Sequence, residues 1–417
     1  GNGTQYLRML LRALFDDLGF TRIVLDTNLE NVRAQHVYEK LGFRRTGVRV
    51  DAWRDQRGRL QTVIDYALLP EDFVHAERSI QPQTLPRTLP LAVLQAEAVS
   101  HYPLVSPEVA CLRHNENWTC HVRDAASGNQ YLLRVHRPAD HFSMAMFGVA
   151  QHAPAWIRAE MDLLEALAGD ADMPIQRPVR NRAGETVTLL SDGTAATLLA
   201  WLEGETLEEI AARVPLTEDI FEAIGRMLAT LHRRSRSAAD TADHPRIAYD
   251  GALLDRIVGC LQAVASQGLL TGVQTEQAIA GAVAVKAHLA RLAGMGRLPQ
   301  RVHADLSKSN LLLVDGKIAP IDFGLCGTAY VEMDMGGLFS HFSAPSAQHA
   351  ILRGYAETAE NPVDMRAVDA YLAFGVLLYI GSHGATAGRE AWFPGAMDRW
   401  CRDIFVPLAD GTPLCSL

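Results

Sequence analysis

The spacing of apolar positions changes several times along this chain, and the changes divide it into segments. Over residues 4–18, Leu7, Leu10, Leu11, Leu14 and Leu18 recur every three or four positions, which predicts an amphipathic helix stopped at Gly19. Residues 22–26 (RIVLD) read as a buried strand. Residues 28–41 read as a second helix, with Val32, Val37, Tyr38 and Leu41 on its apolar side and Gly42 as its stop. Residues 43–50 and 61–68 follow as two strands joined by a polar turn at 55–58. The period then disappears over residues 74–92, where Pro82, Pro86 and Pro90 predict an extended linker. The expected domains are therefore 1–73 and 93–417.

After the linker a short helix at 91–101 precedes strand-like runs at 110–113, 118–123 and 131–136, with Ser127-Gly128-Asn129 as the turn between the last two. They predict a meander. A helix at 155–167 and strands at 187–191 and 197–201 complete a β-rich lobe over 93–200. From residue 205 the pattern is helical, at 216–233, 253–266, 275–292, 346–357, 364–380 and 391–405. One hairpin interrupts it: apolar runs at 311–314 and 318–321 flank the turn dipeptide Asp315-Gly316. The predicted class is α+β, a small β-rich lobe and a larger helical lobe behind a smaller α/β piece.

Composition narrows the partners. With 417 residues, 48% apolar and 21% charged, the chain can bury large cores in two or three domains. A net charge of −9 without a basic run argues against nucleic acid. Six cysteines without a C-x-x-C pair argue against zinc and suggest a reduced, cytoplasmic setting. The apolar run at 370–381 is too short to span a bilayer, so no membrane partner is expected. The sequence opens on Gly1-Asn2-Gly3-Thr4 without a Met, which reads as a start inside a domain.

The chemistry concentrates in residues 301–324, RVHADLSKSNLLLVDGKIAPIDFG. The hairpin holds Asn310 just before one strand and Asp322 just after its partner, so two oxygen ligands approach each other. Such ligands suit Mg²⁺, which completes its shell with water and substrate phosphates. Asp305 stands beside them, able to orient or deprotonate a hydroxyl, which is the layout of phosphoryl transfer from ATP. A single H-x-D says little; the combined spacing is specific.

This segment resembles the aminoglycoside phosphotransferase family, which shares the protein-kinase-like two-lobed fold with choline, fructosamine and type II homoserine kinases. His303-Ala304-Asp305 followed by Asn310 is similar to that family's H-x-D-x-x-x-x-N, with Ala304 where protein kinases carry Arg. The resemblance implies that Arg134, in YLLRVHRP, takes the place of the phosphate-binding Lys and pairs with Glu160. It implies that the glycine-free loop 114–117 covers the phosphates, and that backbone groups from Ala200 to Leu202 bind adenine. Trp201 is expected to pack rather than stack. His303 and His232 read as structural, and Lys308 as either a phosphate contact or a solvated side chain. Asp334 is expected to cap the N–H groups of its helix and brace the catalytic loop.

At the N-terminus, Gly1-x-Gly3 with Thr4 opens a helix, where outward N–H groups favour an anion such as pyrophosphate. The run N-x-x-N-x-x-A-x-x-x-Y-E-K-L-G-F, from Asn28 through Asn31, Ala34 and Tyr38 to Phe43, resembles the second half of a GNAT acetyltransferase. That implies acetyl-CoA as cofactor, its pyrophosphate on the glycine loop, its arm at Asn31, and Tyr38 as the acid for the thiolate. The preceding strands of that family are missing, so a partial domain without independent acetyl transfer is expected. Taken together, the expectation is an ATP- and Mg²⁺-dependent phosphotransferase acting on a hydroxylated or amine-bearing small molecule. The alternatives are a bifunctional acetyl- and phosphotransferase in a longer form, and a nucleotide-binding regulatory module without turnover. The acceptor and the oligomeric state stay open.

Overall fold

In the computed structural model the described residues are Leu7, Leu10, Leu11, Leu14, Phe15 and 20–29, 31–54, 60–70, 72–73, 89–114, 116–138, 145–147, 153–169, 172–238 and 246–415. Gly1, Gly3, Thr4, Leu18, the turn at 55–58 and most of the predicted linker lie outside them. The chain divides into two compact units, residues 1–89 and 90–417.

In the first unit, β1 (Ile23–Asn28), α1 (Val32–Lys40), β2 (Arg44–Arg54) and β3 (Leu60–Leu68) follow the predicted order. The sheet is antiparallel with order β1-β3-β2. Its core gathers Leu11, Leu41, Phe43, Ile64, Tyr66, Leu68 and Phe73. Helix α1 starts later than the apolar pattern predicts. Asn28 is still in β1, and the Asn31 side chain accepts the Ala34 N–H at 3.2 Å as the cap.

The second unit opens with α2 (Leu91–Ser100) and the meander β4 (Pro107–His114), β5 (Trp118–Asp124) and β6 (Gln130–Val135), then α3 (Pro154–Leu167). Short β7 (Pro178–Val179) and β8 (Thr188–Leu189) flank β9 (Ala195–Ala200). Together they form one sheet of order β4-β5-β6-β9-β7, with β8 also on β9. β10 (Glu205–Thr206) leads into α4 (Leu207–Ala211), which a Thr206–Glu209 capping box starts. Next come α5 (Glu218–Ala238), β11 (Ile247–Ala248), α6 (Gly251–Ser266), α7 (Gly272–Gly294) and β12 (Gln300–Val302). The hairpin β13 (Leu311–Val314) and β14 (Lys317–Pro320) precedes β15 (Gly327–Ala329), α8 (Glu332–His341), α9 (Pro345–Thr358) and α10 (Met365–Ala387). The last predicted helix is split into α11 (Phe393–Trp400), a π-helical turn over Cys401–Phe405, and α12 (Val406–Ala409). The architecture is α+β, as the patterning predicts.

Two features of the helical lobe matter for the site. α5 and α9 cross with their backbones in contact: a Cβ on Gly225 would lie 2.0 Å from Ile351 O, and one on Gly354 would lie 2.0 Å from Glu222 O. The crossing brings Tyr355 beside His232, one end of the bracing described below. The second feature corrects a sequence expectation. α10 spans 23 residues and is long and apolar enough to cross a membrane, because helix continues past the apolar run on both sides. Half of its apolar window is buried within the protein, and Val368, Phe374, Leu377 and Ile380 belong to the main core.

Candidate active site

The catalytic-type residues are placed by a turn and two unusual backbone conformations. Asp315 (φ 48°) and Gly316 (φ 77°) both take positive φ, the requirement of a tight two-residue hairpin turn. The hairpin registers Leu311 with Pro320, and the Ile321 N–H donates to Asn310 O at 3.0 Å. Asn310 and Asp322 therefore emerge at the same end. Asn310 Nδ2 donates to Asp305 twice, to its carbonyl and to Oδ2, both at 2.9 Å. Among the described residues this leaves Asn310 Oδ1 without a protein partner. Ala304 (φ 67°) and Asp322 (φ 64°) sit in the left-handed region, which costs a residue with a Cβ about 1–3 kcal/mol each unless neighbours hold it.

Those neighbours are buried side chains from distant segments. Asp334 accepts the N–H groups of His303 (3.1 Å) and Ala304 (2.7 Å), and His232 Nε2 donates to it at 3.1 Å. Tyr355 OH lies 3.1 Å from His232 Nδ1 and completes the chain. The brace on the loop is thus present, but the expected cap is not. α8 begins after Val331 with no side-chain cap, because Asp334 spends its oxygens on the catalytic loop instead. His303 donates from Nε2 to Ile321 O at 2.9 Å and packs its ring 4.4 Å from Phe323, tying the two halves of the motif together. Arg246 does the same for the Asp322-Phe323-Gly324 segment. Its guanidinium, 4.2 Å above the Trp156 ring, donates to the carbonyls of Phe323, Gly324 and Cys326 at 2.7–3.0 Å. No local motif marks Arg246, and sequence reasoning missed it.

Arg134 and Glu160 form the predicted pair, Nη2 to Oε1 at 2.6 Å with both side chains about 5% exposed or less. Burial opposes the Arg134 charge, but Glu160, Asp322 and Glu116 outweigh it and raise its pKa. Its Nε is buried without a partner. Two further charges, also missed from sequence, reach the same place. Arg113 Nη2 donates to Asp322 Oδ2 at 2.7 Å. Glu116 lies in the glycine-free loop, and a Cβ built on Gly324 would sit 3.4 Å from its Oε2 and 3.3 Å from Asp322 Oδ1. Burial, then the charge of Asp322, pushes the Asp305 carboxyl up to about 7; Asn310 and Arg113 work the other way. Burial, Asp322 and Asp305 push Glu116 to about 7 as well. The only clue in the sequence was charge in a loop that has no glycine.

The remaining predicted positions are less united. The Ala200 N–H is spent on Arg177 O at 2.8 Å and that of Trp201 on Gln130 O at 3.0 Å. The Ala200 N–H is therefore taken up within the sheet at the end of β9. Leu202 lies just beyond that pairing. Trp201 packs edge-on against His121 at 4.6 Å, in keeping with a packing role. Lys308 rests 5.4 Å above the Phe342 ring. In the first unit, Tyr38 is half-buried with its ring near Phe43 and Tyr66, at 5.7 and 5.9 Å.

Solved structures share this architecture. A microcompartment-associated aminopropanol kinase is 22% identical with a TM-score of 0.58, covering 76% of this chain and 99% of its own. The amicoumacin kinase hAmiN, solved with AMP-PNP, Ca²⁺ and Ami, is 17% identical with a TM-score of 0.59, covering 79% and 96%. An aminoglycoside phosphotransferase from Alicyclobacillus acidocaldarius is 15% identical with a TM-score of 0.53, covering 78% and 96%. The fold is the two-lobed one these kinases share. No curated protein sequence matches the chain. The family model described as the phosphotransferase enzyme family matches residues 111–371, and the chain belongs to that family. Residues 1–43 match the model of the GNAT acetyltransferase family.

Proposed function

We propose that the chain transfers the terminal phosphoryl group of ATP to a hydroxyl of a small, amine-bearing molecule. The observation that carries this reading is the coupling of Asn310 to Asp305 at the end of the hairpin that also presents Asp322. One carboxylate is thereby set for the acceptor hydroxyl, while an amide oxygen and a second carboxylate stand beside it. These oxygen donors suit Mg²⁺, and among the described residues no three His, Cys, Asp or Glu side chains form a closed metal cage. When bound, the ion would sit on Asn310 and Asp322 and neutralise charge on the phosphates. Asp305 orients the acceptor hydroxyl and receives its proton. Arg134, fixed by Glu160, steadies the phosphates. Positioning and charge complementarity supply most of the rate.

The kinds of acceptor named for the similar structures, an aminopropanol, amicoumacin and aminoglycosides, define the first panel to test. ADP release with Mg²⁺ and each acceptor is the assay, and Asp305→Asn is expected to lower turnover about 10²–10⁴-fold while nucleotide binding persists. Equal turnover by Asp305→Asn would remove the reading. A second reading concerns the first unit, where the acetyltransferase match over residues 1–43 favours acetyl-CoA at Gly1, Gly3, Thr4 and Asn31, with Tyr38 as acid. Titration calorimetry with coenzyme A tests it, and an absence of binding heat ends it.

A further inference from the structure

The Arg113–Asp322 contact joins residues 209 positions apart and has no place in the mechanism so far. Asp322 is a proposed metal ligand, and the Arg113 guanidinium occupies one of its oxygens. How Arg113 gets there is visible in β4. The strand pairs Cys111 with Cys120 and then Arg113 with Thr119, so a bulge at Leu112 breaks the alternation. Bulges re-aim side chains in this way next to functional sites. The loop beyond is anchored at its base, where His114 Nε2 lies 3.0 Å from Arg137 O. The Arg113 side chain is 56% exposed and that of Asp322 is 23% exposed, so Arg113 can leave without stranding a buried cation.

The surroundings explain why a cation stands here. Asp305, Asp322 and Glu116 crowd one space, and Glu116 overhangs Gly324 beside Asp322. Facing carboxylates need a positive partner, and Arg113 is the side chain that bonds Asp322 among the described residues. An ion pair this open to water is weak, so a divalent ion arriving with a polyphosphate displaces it. The displaced guanidinium is then a free fork at the edge of the loop that lies over the phosphates. Guanidinium matches phosphate oxygens bidentately, which a loop without glycines cannot do with tightly approaching backbone amides.

We propose that Arg113 is an exchange cation. In the empty site it holds the Asp322 carboxylate where the metal ion would be, and on loading it passes to the non-bridging oxygens of the nucleotide's triphosphate. The inference rests on the phosphoryl-transfer reading of the same site. Its signature is a pair of opposite effects in one variant, which loss of structure does not produce.

The test uses the full chain, with Mn²⁺ as the probe ion read by electron paramagnetic resonance and the Mn²⁺ complex of a non-hydrolysable ATP analogue read by calorimetry. Arg113→Met is expected to tighten Mn²⁺ binding in the absence of nucleotide, because the competing cation is gone. The same variant is expected to weaken binding of the metal–nucleotide complex by roughly tenfold or more, the worth of a charge-assisted bond to phosphate. Arg113→Lys keeps the charge without the fork, and should hold Mn²⁺ affinity near wild type while still weakening the nucleotide complex. If Arg113→Met leaves either affinity unchanged, or moves both the same way, the exchange is refuted while wild-type nucleotide binding keeps the kinase reading intact. If wild type binds no metal–nucleotide complex at all, both fall together.

Discussion

Replacing Asp334 should unfasten the catalytic loop. Its carboxylate is buried and accepts from the His303 and Ala304 amides and from His232. Asp334→Ala leaves both amides and the imidazole N–H facing a void. Each buried donor left unmet costs about 1–3 kcal/mol, so the two amides alone give roughly 2–6 kcal/mol. Asp334→Asn keeps the volume and one accepting oxygen and turns its NH₂ toward one donor, so it should cost about 1–3 kcal/mol. Ala304, no longer tied, can relax from its left-handed conformation, and Asp305 is the next residue. A displacement of about 1 Å there is enough for a roughly 10²-fold loss in rate. Urea unfolding gives the stability change from the midpoint at constant slope, and ADP release with a working acceptor gives the rate. A loss below about 1 kcal/mol for the Ala variant, or equal losses for Ala and Asn, would refute the account of Asp334 as acceptor for the loop.

Three further outcomes are expected from neighbouring contacts. Arg134→Met strands the buried Glu160 carboxylate and should cost about 3–5 kcal/mol, whereas Arg134→Met with Glu160→Leu should cost clearly less; additive losses in urea melts would deny the coupling. Gly225→Ala, whose Cβ would lie 2.0 Å from Ile351 O, should destabilise by about 3 kcal/mol by forcing α5 and α9 apart, and a neutral result would show that the crossing yields freely. Acidification from pH 7 to 5 should act on stability in two directions: Asp305 and Glu116, both pushed up to about 7, take up protons in the folded chain and raise it, whereas the buried His303 lowers it. Burial holds the His303 imidazole below its ordinary value and the His232 bond holds Asp334 below its own despite burial, so at these two groups the unfolded chain binds more protons. The His303 share is complete above the unfolded value and is lost as pH drops from there toward its folded value, and the Asp334 share goes only below about pH 4. An NMR titration in which the His303 imidazole protonates at or above pH 6.5 would contradict the neutral His303.

What could be read from sequence was whatever local chemistry determines. Asp315-Gly316 announced the hairpin because two successive positive φ angles need such residues, and the hairpin alone brings Asn310 and Asp322 to one end. The Arg134–Glu160 contact was legible only through the family resemblance, which puts the two on a strand and the helix after it. Arg113, Glu116 and Arg246 were not, since what each touches lies roughly 80 to 210 residues away and no period links them. β10, β11 and β15 escaped notice because two or three residues carry no alternation to detect. Asp334 was half legible: a carboxylate early in a helix suggests a cap, and only the fold shows that the donors it serves belong to another segment.

That division has a physical basis in the site itself. Asp305 and Asp322 are both delivered by strained backbone, at Ala304 and at Asp322, and strain persists only where surrounding structure over-determines it. The restraints are separate: Asp334 with His232 and Tyr355 holds the first, and Arg246 with Trp156 holds the carbonyls that follow the second. His303 couples the two, giving its amide N–H to Asp334 and its ring N–H to the Ile321 carbonyl. Both carboxylates, Asp305 and Asp322, are thus held in place by braces from the helical lobe. The small lobe contributes the exposed and replaceable charges, Arg113 and the half-buried Glu116, on a bulged strand and a loop. On the proposed phosphoryl-transfer reading, braced acceptors of proton and metal would face a displaceable cation, an arrangement that lets nucleotide enter and leave while the geometry around Asp305 is kept.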